Sequence, residues 1–229
     1  MKKALFAAII ILATTLSCKK DNGNNPPGAT ATVYMSLSAG STRNYELTNN
    51  NPPSAPTSYT VTSTTRDTAI GTRSYHIFSN SNSGGSEYYN ISGNEYFSYQ
   101  SLPAALGSAT VENLYLKDNA AVNTTWNQTF PVTLTGVPFP VTVKILNTIL
   151  EKGISRTVNN IVYTNVIHVK SDITASVLVT PVTGLTSNIN YYYAPKVGLI
   201  ENTTIIDLDF MGIVNHTNTR TILKSAIIL

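Results

Sequence analysis

Past its first thirty-two residues the chain alternates: apolar and polar side chains exchange places every second position in short runs, and Gly, Asn, Pro and Ser cut the runs apart. A period of two places one set of side chains on each face of an extended strand, whereas a helix needs apolar residues at i, i+3, i+4 and i+7. The pattern predicts strands over Thr42–Thr48, Ser58–Thr65, Arg73–Ser79, Glu87–Ser92, Glu95–Gln100 and Glu112–Lys117. It continues with Thr125–Leu134, Val141–Leu150, Ser155–Tyr163 with Asn165–Lys170, Ser176–Val182, Ile189–Ala194, Val197–Asp207 and Thr219–Leu229. Two interruptions carry information. Asn49 to Pro56 holds three prolines, which remove ladder donors and rule out a central strand. Ser101 to Ala109, "SLPAALGSA", is the best place for one short helical turn.

Turn chemistry joins these strands in sequence. Ser92-Gly93-Asn94 is a tight connection between two aromatic strands, Pro195-Lys196 separates "INYYYA" from "VGLIEN", and Thr135 to Pro140 links two longer strands. Successive hairpins make a meander. With about a dozen strands, one sheet must curl or split into two layers. The expected fold is therefore all-β: an antiparallel meander forming a curved sheet, half-barrel or two-layer sandwich.

The leader breaks the alternation. Met1-Lys2-Lys3 is basic, and Ala4 to Leu16 is apolar apart from two threonines, a run of 13 residues. Spanning a bilayer takes roughly 20 apolar residues, whereas the apolar core of a secretory signal takes about 7–15. Thr15-Leu16-Ser17-Cys18 resembles a bacterial lipobox, in which the chain is cut before the cysteine and its thiol receives a diacylglyceryl group. Leu16 stands one place later than the family's preferred aliphatic position, which Thr15 occupies. Cys18 is the sole cysteine, and a lone thiol in an exported protein asks for an explanation that acylation supplies. Two or more palmitate-type chains hold a protein stably where one does not. Lys19 to Thr32, rich in Asn, Gly and Pro without periodicity, has the composition of a flexible tether. The expected organisation is a signal peptide over 1–17, a lipidated Cys18 with its tether over 18–32, and a single all-β domain over 33–229.

Composition narrows the function classes. The net charge of +3 drops to +1 once Lys2 and Lys3 leave with the signal, and no basic stripe exists to engage nucleic acid. Charged residues are 12%, so 32 Thr and 24 Asn must supply the polar surface. Three histidines, His76, His168 and His216, lack metal-ligand spacing, and neither a Gly-x-Ser-x-Gly elbow nor a phosphate-binding Gly-rich loop is present. No cofactor or metal is expected. A Ser/His/Asp triad has no local signature in the sequence. Asp207 and Asp209, two apart on one strand face, and Glu87 with Glu95 beside the Gly93 hairpin, are the carboxylate pairs a hydrolase could use. The same hairpin gathers Tyr88, Tyr96 and Tyr99, candidates for a ligand-binding aromatic platform, although cross-strand aromatic pairing is the favoured account of them. In Tyr191-Tyr192-Tyr193 at least one ring must face away from its neighbours.

"NYYYAPKVGLIEN", Asn190 to Asn202, resembles a C-terminal hairpin of uncharacterised Bacteroidota-type lipoproteins. Tyr192, Tyr193, Ala194, Val197, Gly198 and Leu199 match its pattern, and Gly40, Tyr45 and Leu47 stand where that group places a Gly followed by an aromatic strand. The resemblance implies an outer-membrane lipoprotein anchored by its acyl chains, with periplasmic and surface-facing orientations both open. The expected role is a binding or interaction module for a glycan, lipid or protein partner, more so than an enzyme. The alternatives are a carboxylate-dependent hydrolase and a purely structural envelope component.

Overall fold

The computed structural model of the protein describes residues 32–103, 106–107, 109–134 and 137–229. The signal segment, Cys18 and the tether up to residue 31 lie outside the described residues, as does part of the predicted helical turn. Thr32–Leu229 forms one compact unit. Its strands are β1 (Thr42–Asn49), β2 (Thr57–Ile70), β3 (Arg73–Asn80), β4 (Gly85–Ser92), β5 (Glu95–Ser101), β6 (Thr110–Lys117) and β7 (Thr125–Val132). They continue with β8 (Val141–Val158), β9 (Ile161–Val177), β10 (Thr180–Pro181), β11 (Leu185–Ala194), β12 (Gly198–Phe210) and β13 (Ile213–Ile227).

All thirteen belong to one antiparallel sheet that nearly closes into a barrel. Its order is β6-β5-β4-β3-β2-β1-β13-β12-β11-β9-β8-β7, with β10 paired to β9. The expected meander is thus present as two runs. They are joined where the first strand lies against the last, in register from Thr42↔Ile227 to Asn49↔Thr219. Of the alternatives open to a dozen strands, the sheet takes the curled one.

Several strand boundaries differ from the expected ones, among them Ser176–Val182, which turns back at Leu178 (φ 57°) between β9 and β10, and two others differ for the same reason. Ser155–Tyr163 is not one strand: the chain reverses at Asn159-Asn160, with φ of 48° and 63°. Asn tolerates this left-handed backbone, and two such residues form the tight turn that matches strand twist. Likewise β13 begins at Ile213 rather than Thr219, directly after Met211 and Gly212 with φ of 50° and 79°. The β8–β9 ladder runs from Val141↔Val177 to Val158↔Ile161 with three register shifts. Each shift bends the hairpin.

The two ends of the order, β6 and β7, meet without a backbone ladder. Side chains bridge them. Gln128 accepts from Leu114 N through Oε1 (2.6 Å) and donates Nε2 to Glu112 O (3.1 Å), so its amide stands in for a peptide group of a neighbouring strand. Trp126 Nε1 donates to Leu114 O at 2.7 Å, and Asn147 Nδ2 reaches the same oxygen at 3.3 Å. Pro131 lies in β7, at a sheet edge where a missing N–H costs no ladder bond.

Two apolar clusters fill the molecule. One gathers Tyr45, Phe78, Tyr96, Leu116, Val169 and Leu223. The other, beside the β7–β8 connection, gathers Val141, Val143, Ile206 and Leu208. The residues that alternate with the interior ones on β1 and β2, such as Asn44, Glu46, Thr60 and Thr62, are polar. On these two strands the pattern is the reverse of that in a membrane-spanning barrel, which is apolar outside.

Candidate functional site

Strand alternation builds an interior site from pairs two residues apart. Arg43 and Tyr45 on β1, Tyr59 and Val61 on β2, Glu87 and Tyr89 on β4, Ser98 and Gln100 on β5, Asn113 and Tyr115 on β6, and Tyr191 and Tyr193 on β11 all line one cavity. Its volume is about 140 Å³. Cross-strand register explains part of the wall: Tyr89 lies opposite Ser98, and Ser98 opposite Asn113. Six of the 13 tyrosines thus serve one site.

The wall is aromatic and electrically uneven. Burial, and in second place the nearby Glu87 carboxylate, pushes the Tyr59 phenol up to about 12. Burial alone takes Tyr191 up to about 12. Burial raises Tyr45, Tyr89, Tyr115 and Tyr193 further, so the phenols stay neutral donors. Glu87 accepts from Tyr89 Oη at 2.8 Å and from Asn80 Nδ2.

Arg43 is 1% exposed yet forms no ion pair among the described residues. Its Nε donates to Val197 O and its Nη2 to Ser36 O at 3.0 Å, while its guanidinium lies 5.5 Å from the Phe78 ring centre. Nη1 has no hydrogen-bond partner, and neither does Oδ1 of Asn113, another wall residue, 8% exposed.

Of the residues singled out in the sequence, Glu87, Tyr191 and Tyr193 face the cavity and the others take other positions. Tyr96 is 1% exposed, its hydroxyl donating to Asp118 at 2.6 Å and accepting from Tyr34 N at 2.9 Å. Tyr88 and Tyr99 sit opposite one another on β4 and β5 as an edge-on pair, 6.4 Å apart and inclined at 74°. Of the tyrosine triplet, Tyr191 and Tyr193 face the cavity and Tyr192 stacks on His168 at 4.2 Å. Asp207 contacts His216 Nδ1 at 3.0 Å, and Asp209 lies near the tip of the same hairpin, opposite Val214. Glu87 faces the cavity, whereas Glu95 pairs with Lys117 at 2.7 Å. Among the described residues no cluster of His, Cys, Asp and Glu could hold a metal ion.

One constellation had no local sequence signal. Ser63 Oγ lies 2.9 Å from His76 Nε2, and His76 Nδ1 lies 2.6 Å from Asp67 Oδ1. A bulge in β2 places Asp67 directly opposite His76. The connectivity is that of a hydrolytic triad, but the surroundings differ. Ser63 is 2% exposed, and its hydroxyl also donates to Leu37 O at 2.8 Å. An acyl-transfer site needs donors aimed at a developing oxyanion. Here the neighbour is a carbonyl acceptor, and the Ser63 amide is committed to Ser41 O. The relay ties the segment entering the barrel to β2.

No family model matches the sequence, and no curated protein matches it. Two solved structures are similar to the chain at low identity. One is a crystal structure of a "putative lipoprotein" from Parabacteroides distasonis, with 13% identity, a TM-score of 0.48, and an alignment covering 86% of this chain and 99% of that one. The other is a "putative exported protein with YmcC-like fold" from Bacteroides fragilis, with 7% identity, a TM-score of 0.43 and the same coverage.

The outer face carries a charged clamp. The Glu201 side chain, 4% exposed, binds Arg156 at 2.6 Å and Arg220 at 2.8 Å, and Arg156 lies 3.4 Å over the Tyr192 ring. Burial alone would raise the Glu201 carboxyl, but the hydrogen bonds and charges of the two arginines outweigh it and hold the carboxyl below its ordinary value. A lowered carboxyl contributes stability that is present above its unfolded pKa, about 4.3, and lost as pH falls through the folded value. Glu201→Gln is therefore expected to cost about 2 kcal/mol at pH 7, less than a fully buried pair because both arginines reach solvent. That cost should shrink towards zero as acid protonates the wild-type carboxyl. Urea unfolding of both proteins across this pH range checks it.

Proposed function

We propose that the protein is an exported lipoprotein, anchored through acyl chains on Cys18, whose barrel interior binds a small molecule. The anchor reading rests on the basic, short apolar leader ending at the chain's only thiol. The binding reading rests on one observation: a cavity walled by six tyrosines in which two buried polar groups, Arg43 Nη1 and Asn113 Oδ1, have no partner. Buried polar groups are normally satisfied, and exceptions need an explanation. A bound molecule that supplies the missing partners provides one. The hydrolase alternative gains little from the same geometry, since the Ser63 relay is buried against a carbonyl and the two carboxylate pairs do not face each other across the cavity.

Native mass spectrometry of the protein extracted from its own membrane tests both halves. The expected polypeptide begins at Cys18 and carries a diacylglyceryl mass. It also holds a small adduct that is lost on denaturation. A free thiol or another starting residue would contradict the anchor, and a native protein that never carries an adduct would contradict the binding reading.

A further inference from the structure

We infer that the interior ligand is a small organic acid with a second, hydrogen-bond-donating group: its carboxylate seats on Arg43 and its donor on Asn113 and Glu87. The inference rests on the cavity reading above and specifies its chemistry.

Arg43 supplies the first half. A guanidinium has five N–H donors. Here those on Nε and Nη2 reach backbone carbonyls of the entering segment and the β11–β12 turn, which fixes the group's position. Carbonyl dipoles and the Phe78 face are what it touches, and no carboxylate forms a direct ion pair with it among the described residues; Glu87 is the carboxylate on the wall of the same cavity. A charge removed from water without a counter-charge is costly. The remaining Nη1 donors match a carboxylate oxygen, and a charge-assisted bond there would be roughly twice as strong as a neutral one.

The second half follows from the acceptors on the wall. Asn113 Oδ1 is a buried acceptor with no donor. Glu87 has one bond to each oxygen, from Tyr89 and Asn80, and a carboxylate can accept about four. A ligand that was only an anion would be repelled by Glu87 and would leave Asn113 unsatisfied. An O–H or N–H on the same molecule answers both. The body between the two ends must be apolar and flat to pack on the tyrosine rings. It must also be small, because 140 Å³ is close to the roughly 150 Å³ of an engineered protein cavity that admits benzene.

Titration of the full-length chain, with its tyrosines carbon-13 labelled for NMR, tests this with three one-ring probes: 3-hydroxybenzoate, benzoate and 3-hydroxybenzyl alcohol. The acids are expected to shift the resonances of Tyr89, Tyr115 and Tyr193 and to bind at least tenfold more tightly than the alcohol. 3-Hydroxybenzoate should bind more tightly than benzoate, and Asn113→Leu should abolish that second difference. Arg43→Met should bring the acids level with the alcohol. Should Arg43→Met fail to fold, the ratio of acid to alcohol in the wild-type protein decides alone. An alcohol that binds as well as the acids overturns the acid assignment and leaves the cavity reading intact. If none of the three moves the wall tyrosines, the cavity reading falls with it.

Discussion

Trp126→Ala is expected to lower the unfolding free energy by about 4 kcal/mol, the range found when a buried indole is truncated. Trp126 is 8% exposed and does two things at once. Its ring packs in the larger apolar cluster, and its Nε1 holds Leu114 O across the gap between β6 and β7. Trp126→Phe separates these roles. It keeps most of the packing and loses the donor, so a cost of about 1–2 kcal/mol is expected, that of one buried hydrogen bond. Gln128→Ala should lie in between, at about 2 kcal/mol, because it strands the Leu114 amide. Both residues converge on Leu114, so the double variant of Trp126→Phe with Gln128→Ala should depart from additivity. Hydrogen exchange supplies the local readout: the Leu114 amide should exchange far faster in Gln128→Ala while amides of the β1–β13 ladder keep their protection. A uniform loss of protection would show that the seam is not a separate unit.

The second large effect is steric. Gly184→Ala is expected to destabilise the fold by about 3 kcal/mol, the upper end of overpacking costs. A Cβ at this position would overlap the carbonyl oxygen of Asp209 and lie 2.8 Å from its carbonyl carbon. Backbone cannot swing aside as a side chain can, and Asp209 N is itself bound to Gly184 O at 2.9 Å. The substitution therefore has to part β11 from the end of β12. Gly71, with open space around its added Cβ, is the control for a glycine in a turn, although its φ of 59° adds some strain of its own. Thermal unfolding of the two variants gives the comparison, with Gly184→Ala well below Gly71→Ala.

Much of this architecture is legible in the residues, and the gaps have physical causes. Alternation marks β4 and β5 almost to their ends, because both flank a glycine with positive φ, Gly93, that only a turn explains. It fails at Asn159-Asn160, where β-branched residues on both sides look like one continuous strand and the reversal is carried by two asparagines. Pairings between distant segments, such as Thr42 with Ile227 and the step from β9 to β11, are also beyond it. The site is harder still. Its walls come from pairs on strands far apart in sequence, so no motif records it. The one available hint is Arg43, an ion at the inward position of "TRNYELT" where Tyr45 marks the buried face. The rings of the aromatic hairpin stand out because they are close in sequence, yet only Glu87 and Tyr89 of that hairpin's first strand reach the cavity alongside Ser98 and Gln100 of its second. The structure turns Tyr96 into the core and pairs Tyr88 with Tyr99, while the cavity draws on Tyr45, Tyr59 and Tyr115 from strands whose tyrosines stand singly.

The side-chain closure between β6 and β7 bears on behaviour in a crowd. An open sheet offers its outermost strands as templates for another copy to extend. Under the anchor proposed above, copies of the chain would meet such templates constantly, confined to two dimensions at high local density. By occupying the peptide groups of Glu112 and Leu114 in β6 with an amide and an indole, and by placing a proline in β7, the chain blunts edge-to-edge polymerisation although no ladder joins these two strands.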